Sequence, residues 1–75
     1  MKTQDWNRIV GENIRRYRTM KGETQEALGE FLGYGATTIA NYEAGDRMPD
    51  LVTAYLIARH YEIFMEDLMT ELHDS

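Results

Sequence analysis

The residues best suited to chemistry lie in one stretch, residues 24–45, with the sequence TQEALGEFLGYGATTIANYEAG. Its polar side chains are mainly amides and hydroxyls, which donate and accept hydrogen bonds without carrying a charge. The carboxylates of the chain are predicted to lie on solvent-facing helix surfaces, and the glycines are too scattered to form a phosphate-binding loop. The stretch therefore indicates a hydrogen-bonding surface rather than a catalytic centre, and we predict that the chain is not an enzyme.

The two histidines, His60 and His73, are the remaining candidates for a chemical site. Neither has a second metal ligand at helical spacing, so the pair is a poor match to a metal site. The chain has no cysteine, which excludes disulfides and cysteine-based zinc sites. We predict no metal and no cofactor, and we expect His60 to be an exposed helix residue.

Glycine and proline divide the chain into segments with helical periodicity. Helix 1 is predicted from Asp5 to Lys21, helix 2 from Thr24 to Gly33, helix 3 from Ala36 to about Ala44, helix 4 after Asp50, and helix 5 after a turn near Glu62. The residues predicted to face the core are Trp6, Ile9, Val10, Ile14, Tyr17, Ala27, Leu28, Phe31, Leu32, Ile39, Tyr42, Leu51, Ala54, Ile57, Ala58, Tyr61, Met65, Leu68, Met69 and Leu72. Asp5, Thr24 and Asp50 are expected to cap their helices. No useful segment alternates with period two, so the prediction is one all-α domain of five helices spanning residues 1–75.

A glycine corner at residues 33–35 joins helices 2 and 3 so tightly that the two must cross steeply. Helix 3 is then expected to protrude, anchored by Ile39 and Tyr42. Its outward residues are Ala36, Thr37, Thr38 and Asn41. Small and amide side chains suit the major groove of DNA, because Asn can bond adenine with two hydrogen bonds and methyl groups can pack on thymine.

The order and spacing of these residues resemble the Cro and phage-repressor type (XRE-like) helix-turn-helix family. The matching positions run from about Gly11 to Leu68 and are densest at Thr24-Gln25, Leu28, Gly33, Ile39, Tyr42-Glu43-Ala44, Gly45 and Pro49. The resemblance implies a compact five-helix, lambda-repressor-like DNA-binding domain with its helix-turn-helix at residues 24–45. It also implies a sequence-specific transcriptional regulator, by family habit a repressor, whose partner is operator DNA.

The resemblance also implies roles for individual residues. Positions that face base edges in relatives are matched by Ala36, Thr37 and Asn41. Positions at the DNA backbone are matched by Thr24, Gln25, Gly35, Thr38 and Arg47. Arg18 and Glu43 match a partly buried ion pair that ties helix 1 to the end of helix 3. Independently of the resemblance, the place of Tyr34 in the turn leads us to expect either a phosphate contact or a side chain that covers the corner.

Five positions depart from the family pattern, and two of them, Ala36 and Ala44, lack amides that some relatives carry. Gly29 stands where relatives usually have Ala, Gly35 where they usually have Ser or Thr, and Glu23 where they usually have an apolar residue. A glycine inside a helix costs about 1 kcal/mol relative to alanine unless close packing requires it. Glu23 is expected to leave helix 2 without a hydrophobic staple.

The net charge of −5 disfavours a nucleic-acid partner at first sight. The deficit lies entirely in residues 48–75, with one basic and six acidic side chains, because residues 1–47 carry seven of each. Phosphates respond to the field within about a Debye length, roughly 8–10 Å, so DNA binding is not excluded. The acidic third favours an alternative: a protein-interaction module of the same fold, anti-repressor-like or antitoxin-like, with little DNA affinity.

Helix 4 is predicted to carry a second surface, formed by Val52, Tyr55, Leu56 and Arg59. Large apolar residues on one exposed stripe favour a contact between protein chains, which Phe64, Met65 and Met69 would extend. A homodimer would let two copies of helix 3 read two DNA half-sites. No apolar run approaches the roughly 20 residues of a membrane span and no signal peptide is evident, so we expect no membrane partner and a cytoplasmic, nucleoid-associated location.

Overall fold

A computed structural model describes residues 5–71, and this part of the chain contains five α-helices and no strand. The helices are α1 (Trp6–Met20), α2 (Gln25–Leu32), α3 (Ala36–Glu43), α4 (Leu51–His60) and α5 (Met65–Met69). The predicted all-α, five-helix fold is confirmed. Two residues considered above, His73 and Leu72, lie outside the described range. Within residues 5–71, none of the helices has the length and apolar character needed to span a bilayer.

Three of the helices begin at the predicted caps. Side chains of Asp5, Thr24 and Asp50 accept hydrogen bonds from backbone N–H groups three residues later, at 3.2, 3.0 and 2.8 Å respectively. Each bond satisfies one of the four N–H groups that the start of a helix leaves without an intrahelical partner. These capping side chains explain why the three helices start where the sequence predicts.

The corner between α2 and α3 depends on two glycines with different tasks. Gly33 ends α2 with a φ of 80°, a left-handed conformation that glycine adopts without a steric penalty. Tyr34 N then donates to Gly29 O at 2.7 Å, and a Cβ at Gly29 would lie only 2.6 Å from Tyr34 O. The departure to glycine at position 29 is therefore required by the close approach of the chain at this corner.

The core forms where all five helices meet. Each helix contributes one fully buried large side chain, and these are Ile14, Leu28, Ile39, Ile57 and Leu68. Burying a side chain of this size stabilises the fold by about 1.5–3 kcal/mol. Helices α1 and α3 approach each other closely, and a Cβ at Gly11 would overlap the carbonyl oxygen of Tyr42.

Several residues predicted to face the core are exposed instead. Leu51 is 76% exposed, and Ala27, Phe31, Trp6 and Met69 are also exposed. These residues lie at the ends or flanks of their helices, where the apolar stripe is wider than the contact with the neighbouring helix. The predicted core positions of these five residues were wrong. Thr53, which was not predicted to face the core, is buried, and its hydroxyl is hydrogen-bonded to that of Tyr34 at 3.1 Å.

Candidate nucleic-acid interface

The outward side of α3 is the candidate nucleic-acid interface. Ile39 and Tyr42 are 0% and 4% exposed and hold α3 against the core. On the opposite side Thr37 is exposed and Asn41 is half-buried. These two side chains are four residues apart and so share one helix face. Together with the half-buried Ala36 they form a surface that we call the reading face.

The start of α3 leaves donors available beside the reading face. Gly35 takes the N-cap position, and no side chain caps α3. Backbone N–H groups at an uncapped helix start point outward at the positive end of the helix dipole. Such a helix end favours an anion, and a DNA phosphate is an anion.

A buried ion pair holds α3 to α1. Arg18 donates from Nε to Glu43 Oε2 at 2.6 Å and from Nη2 to Oε1 at 3.0 Å. The two side chains are only 12% and 5% exposed. Hydrogen bonding to Glu43 is the main cause that raises the pKa of Arg18, against the opposing effect of burial. This two-point geometry fixes both side chains, because guanidinium and carboxylate are planar groups that match each other.

The same carboxylate also positions Gln25 at the start of α2. Gln25 Nε2 donates to Glu43 Oε1 at 3.1 Å, so Gln25, Arg18 and Glu43 form one network. A groove of about 260 Å³ lies beside this network and is lined by Arg15, Arg18, Gln25, Ala40, Glu43 and Ala44. The groove brings the first turn of α2 next to the outward side of α3.

A second groove, of about 300 Å³, lies on the other flank of α3. Its lining residues are Tyr34, Thr38, Tyr42, Arg47, Met48 and Asp50. Arg47 is exposed and Thr38 is half-buried. The hydroxyl of Tyr34 is hydrogen-bonded to that of Thr53 on α4. Of the two expectations for Tyr34, its bond to α4 favours covering the turn. The two grooves therefore border the reading face on both sides.

The family described as helix-turn-helix matches residues 14–68. The chain belongs to the helix-turn-helix family. It is 32% identical over 71 residues to an uncharacterized HTH-type transcriptional regulator, y4dJ, of Sinorhizobium fredii, an alignment that covers 95% of this chain and 92% of that protein. It is 32% identical over 66 residues to the control protein C.SmaI of Serratia marcescens, covering 88% and 79% of the two chains. The predicted family is confirmed.

Solved structures show the same helix-turn-helix fold. The crystal structure of the restriction-modification controller protein C.AhdI from Aeromonas hydrophila is 29% identical, with a TM-score of 0.75 over 83% of this chain and 94% of that one. The solution structure of the SOS-response repressor LexA from Eubacterium rectale has a TM-score of 0.83, covering 100% and 83% of the two chains. At 20% identity, the second likeness concerns the fold alone.

One polar cluster of this helix-turn-helix chain was missed by sequence reasoning. Glu23 Oε1 accepts from the Tyr61 hydroxyl at 2.6 Å, and Oε2 lies 2.8 Å from His60 Nε2. His60 also stacks on Phe31, with ring centroids 4.2 Å apart. The expectation of an exposed His60 was wrong: α4 turns this side chain toward the joint between α1 and α2, where it is half-buried. We call Glu23, His60 and Tyr61 the Glu23 cluster.

The ionisation of the Glu23 cluster follows from its surroundings. Burial opposes the charge, but hydrogen bonds from Tyr61 and His60 outweigh it and lower the pKa of Glu23. Burial, together with the bond to the carboxylate, raises the pKa of Tyr61. An ionised carboxylate only accepts hydrogen bonds, so His60 Nε2 carries the proton it donates. The only available signal in the sequence was the acidic residue at a usually apolar position.

A second missed residue is the buried Asn13 on α1. Its Nδ2 donates to the backbone oxygens of Leu68 and Thr70, at 2.9 and 3.0 Å. These carbonyls lie at the end of α5, where the helix leaves them without intrahelical donors. Asn13 therefore holds α5 on α1, outside the interface, and the helical periodicity of α1 carries no sign of that task.

Proposed function

We propose that this helix-turn-helix chain is a sequence-specific DNA-binding transcriptional regulator that inserts α3 into the major groove of an operator. The observation that carries the proposal is the accessibility of Thr37 and Asn41 on a short helix whose other side is anchored by Ile39 and Tyr42. A helix of this kind fits the major groove, and its amide and methyl groups suit base edges. The relatives that are named HTH-type transcriptional regulators support the same function.

The proposed base-reading residues are Ala36, Thr37 and Asn41. Asn41 reads adenine through its amide, and the methyl groups of the other two pack against thymine. The proposed contacts to the DNA backbone are Thr24, Gln25, Gly35, Thr38 and Arg47. Their support is position: they line the two grooves or lie at the starts of α2 and α3, where N–H groups favour phosphates.

We further propose that the chain acts as a homodimer through a dimer face formed by Val52, Tyr55, Leu56 and Arg59. Val52, Tyr55 and Leu56 are 65%, 47% and 37% exposed on α4, and exposed apolar side chains that adjoin one another favour a contact between protein chains. A twofold axis through this face produces a dimer with two copies of α3, one from each molecule. Two reading faces recognise more bases than one, which increases specificity for a pseudo-palindromic operator.

The proposed effect on transcription is repression in the cytoplasm, at the nucleoid. A compact domain seated on an operator excludes other proteins from the same DNA. The chain carries no proposed catalytic step, and its relatives are named as regulators or control proteins rather than enzymes.

The test of the function is selection of bound sequences from a random DNA pool, followed by binding of the selected duplex over a series of salt concentrations. A regulator enriches a defined, roughly symmetric sequence, and its affinity falls steeply with salt because bound counterions are released. An unenriched pool together with no measurable binding at low salt contradicts the proposal. The dimer face is tested separately by sedimentation of Leu56→Glu, with Leu51→Glu as the control from the same helix.

The second candidate is a protein-interaction module of the same fold. The observation that favours it is the acidity of the last third, where Glu62 and Glu66 are exposed. This candidate predicts no DNA affinity at any salt concentration and a basic protein partner. The same salt series separates the two candidates.

A further inference from the structure

Glu23 lies in the joint between α1 and α2 and forms hydrogen bonds toward α1 and toward α4. Its N–H donates to Arg18 O at 3.0 Å, and its carbonyl oxygen accepts from Arg18 Nη1 at 2.6 Å. Its two carboxylate oxygens are bonded to Tyr61 and His60 of α4. The N–H, the carbonyl and both carboxylate oxygens therefore all have partners, so the residue is held at one position between two helices.

Glu23 lies immediately before the start of α2. Thr24 follows it as the N-cap, and Gln25 is the first residue of α2. Arg18, which binds the Glu23 carbonyl, also binds Glu43, and Glu43 in turn binds Gln25. A continuous chain of hydrogen bonds thus runs from α4 through Glu23 and Arg18 to the side chain of Gln25.

The direction of the Glu23 carboxylate matters for an anionic partner. A free carboxylate beside the start of α2 would repel a phosphate and weaken the favourable helix dipole contact. Here hydroxyl and imidazole donors turn the carboxylate toward α4. The side facing α1 presents the backbone carbonyl instead, and that carbonyl holds the guanidinium of Arg18.

We propose that Glu23 is a positioning residue for DNA binding, which fixes the start of α2 so that Gln25 meets the DNA backbone. This inference rests on the proposed function. It assigns a task in recognition to a residue that does not itself touch DNA and whose carboxylate is bonded toward α4. Glu23 acts through Gln25, so the effects of changing the two residues are coupled.

The test is a double-mutant cycle on Glu23 and Gln25, with affinity for a mixed-sequence duplex of about 20 base pairs, roughly two helical turns, as the readout. Glu23→Ala lowers affinity about fivefold in the parent chain, the effect of one lost hydrogen bond, and has no further effect in Gln25→Ala. All measurements are made at a temperature at which circular dichroism shows each variant to be folded. A residue needed only for stability does not produce this coupling.

Three further variants sharpen the test. Glu23→Gln keeps a carbonyl oxygen for Tyr61 and an amide for the other tautomer of His60, so it retains affinity within about twofold. Tyr61→Phe removes one anchor of the carboxylate while keeping the buried ring, and it reproduces part of the loss if Glu23→Ala does not fold. Glu26→Ala is the control for charge, because it removes an exposed carboxylate from the first turn of α2 without removing a bond to α4.

The outcomes separate this inference from the proposed function. A parent chain that binds the duplex, with Glu23→Ala behaving like Glu26→Ala, overturns the role of Glu23 only. An equal loss from Glu23→Ala in the parent and in Gln25→Ala also overturns it, because the two residues then act independently. A parent chain that does not bind the duplex even at low salt overturns the proposed function, and the role of Glu23 with it.

Discussion

The helices α1, α2 and α3 form one half of the domain and pack against one another more closely than α4 and α5, which form the other half. In the first half, Gly11 and Gly29 let backbone meet backbone, and the Arg18–Glu43 pair is almost completely buried. In the second half, neighbouring apolar side chains on the proposed dimer face of α4 remain in water, with Val52 and Tyr55 65% and 47% exposed. The comparison indicates that one half is built to hold a surface rigid, while the other half leaves apolar surface available for a second protein chain.

The largest expected effect comes from breaking the buried ion pair. Glu43→Ala leaves Arg18 charged, 12% exposed and without its carboxylate, and removing one partner of a buried pair costs about 3–5 kcal/mol of unfolding free energy. Urea unfolding at neutral pH measures the loss. The control is Glu12→Ala, whose partner Arg8 lies at the surface, and whose effect should be close to none. Equal effects of the two changes contradict the view that the first half depends on its buried contacts.

A smaller loss of stability is expected where α1 meets α3. Gly11→Ala places a Cβ on the carbonyl oxygen of Tyr42, and overpacking of this kind costs about 1–3 kcal/mol. The matched control is Gly35→Ala, because a Cβ at Gly35 meets nothing within 4 Å. Thermal unfolding of both variants decides the point. If Gly11→Ala unfolds at the same temperature as Gly35→Ala, the close helix contact does not limit this half of the domain.

An effect on DNA rather than on stability is expected at the reading face. Asn41→Ala should cost about 1–3 kcal/mol of binding free energy and relax the preference at one base pair. Gln25→Ala should instead weaken binding evenly across sequences, because backbone contacts carry no base information. Titration of the selected operator and its single-base variants measures both. Asn41 is not a reader if its variant keeps the parent's preference at every position.

The smallest expected effect concerns pH and the cluster that joins the two halves. The pKa of Glu23 is lowered in the folded chain, so its charge contributes stability that is fully present above the unfolded pKa of about 4.3. That contribution is lost as the pH falls through the folded pKa. The stability of the parent relative to Glu23→Gln should therefore decrease on going from neutral pH to about pH 3. Urea unfolding at both pH values measures it, and a constant difference contradicts the assigned charge of Glu23.

Predictions from the sequence were most accurate where a feature depends on near neighbours. Asp5, Thr24 and Asp50 cap their helices as predicted, because a cap requires only an acceptor three residues before an N–H group. Predictions were least accurate at the edges of the apolar stripes. Phe31 and Leu51 have the helical spacing of core residues but are exposed, since spacing defines a face and not the width of the contact upon it.

The candidate site was predictable to a similar degree. The position of Thr37 and Asn41 on an accessible helix follows from the glycine corner and the anchoring by Ile39, both read from the sequence. Gln25 was expected only to meet DNA, and its bond to Glu43 joins residues from different helices that no local pattern relates. Base and backbone contacts of individual residues stay predictions that the experiments above address.

The amino-acid sequence by itself determined the five helices, three of their caps, the corner at Gly33 and the family of the chain, because each depends on residue type and short-range spacing. Only the tertiary structure decided that Gly11 and Gly29 are required by backbone contacts, that Asn13 holds the end of α5, and that Glu23 is bonded to His60 and Tyr61. The physical reason is distance along the chain. Partners from separate helices meet only after the helices pack, and their packing is set by the whole core.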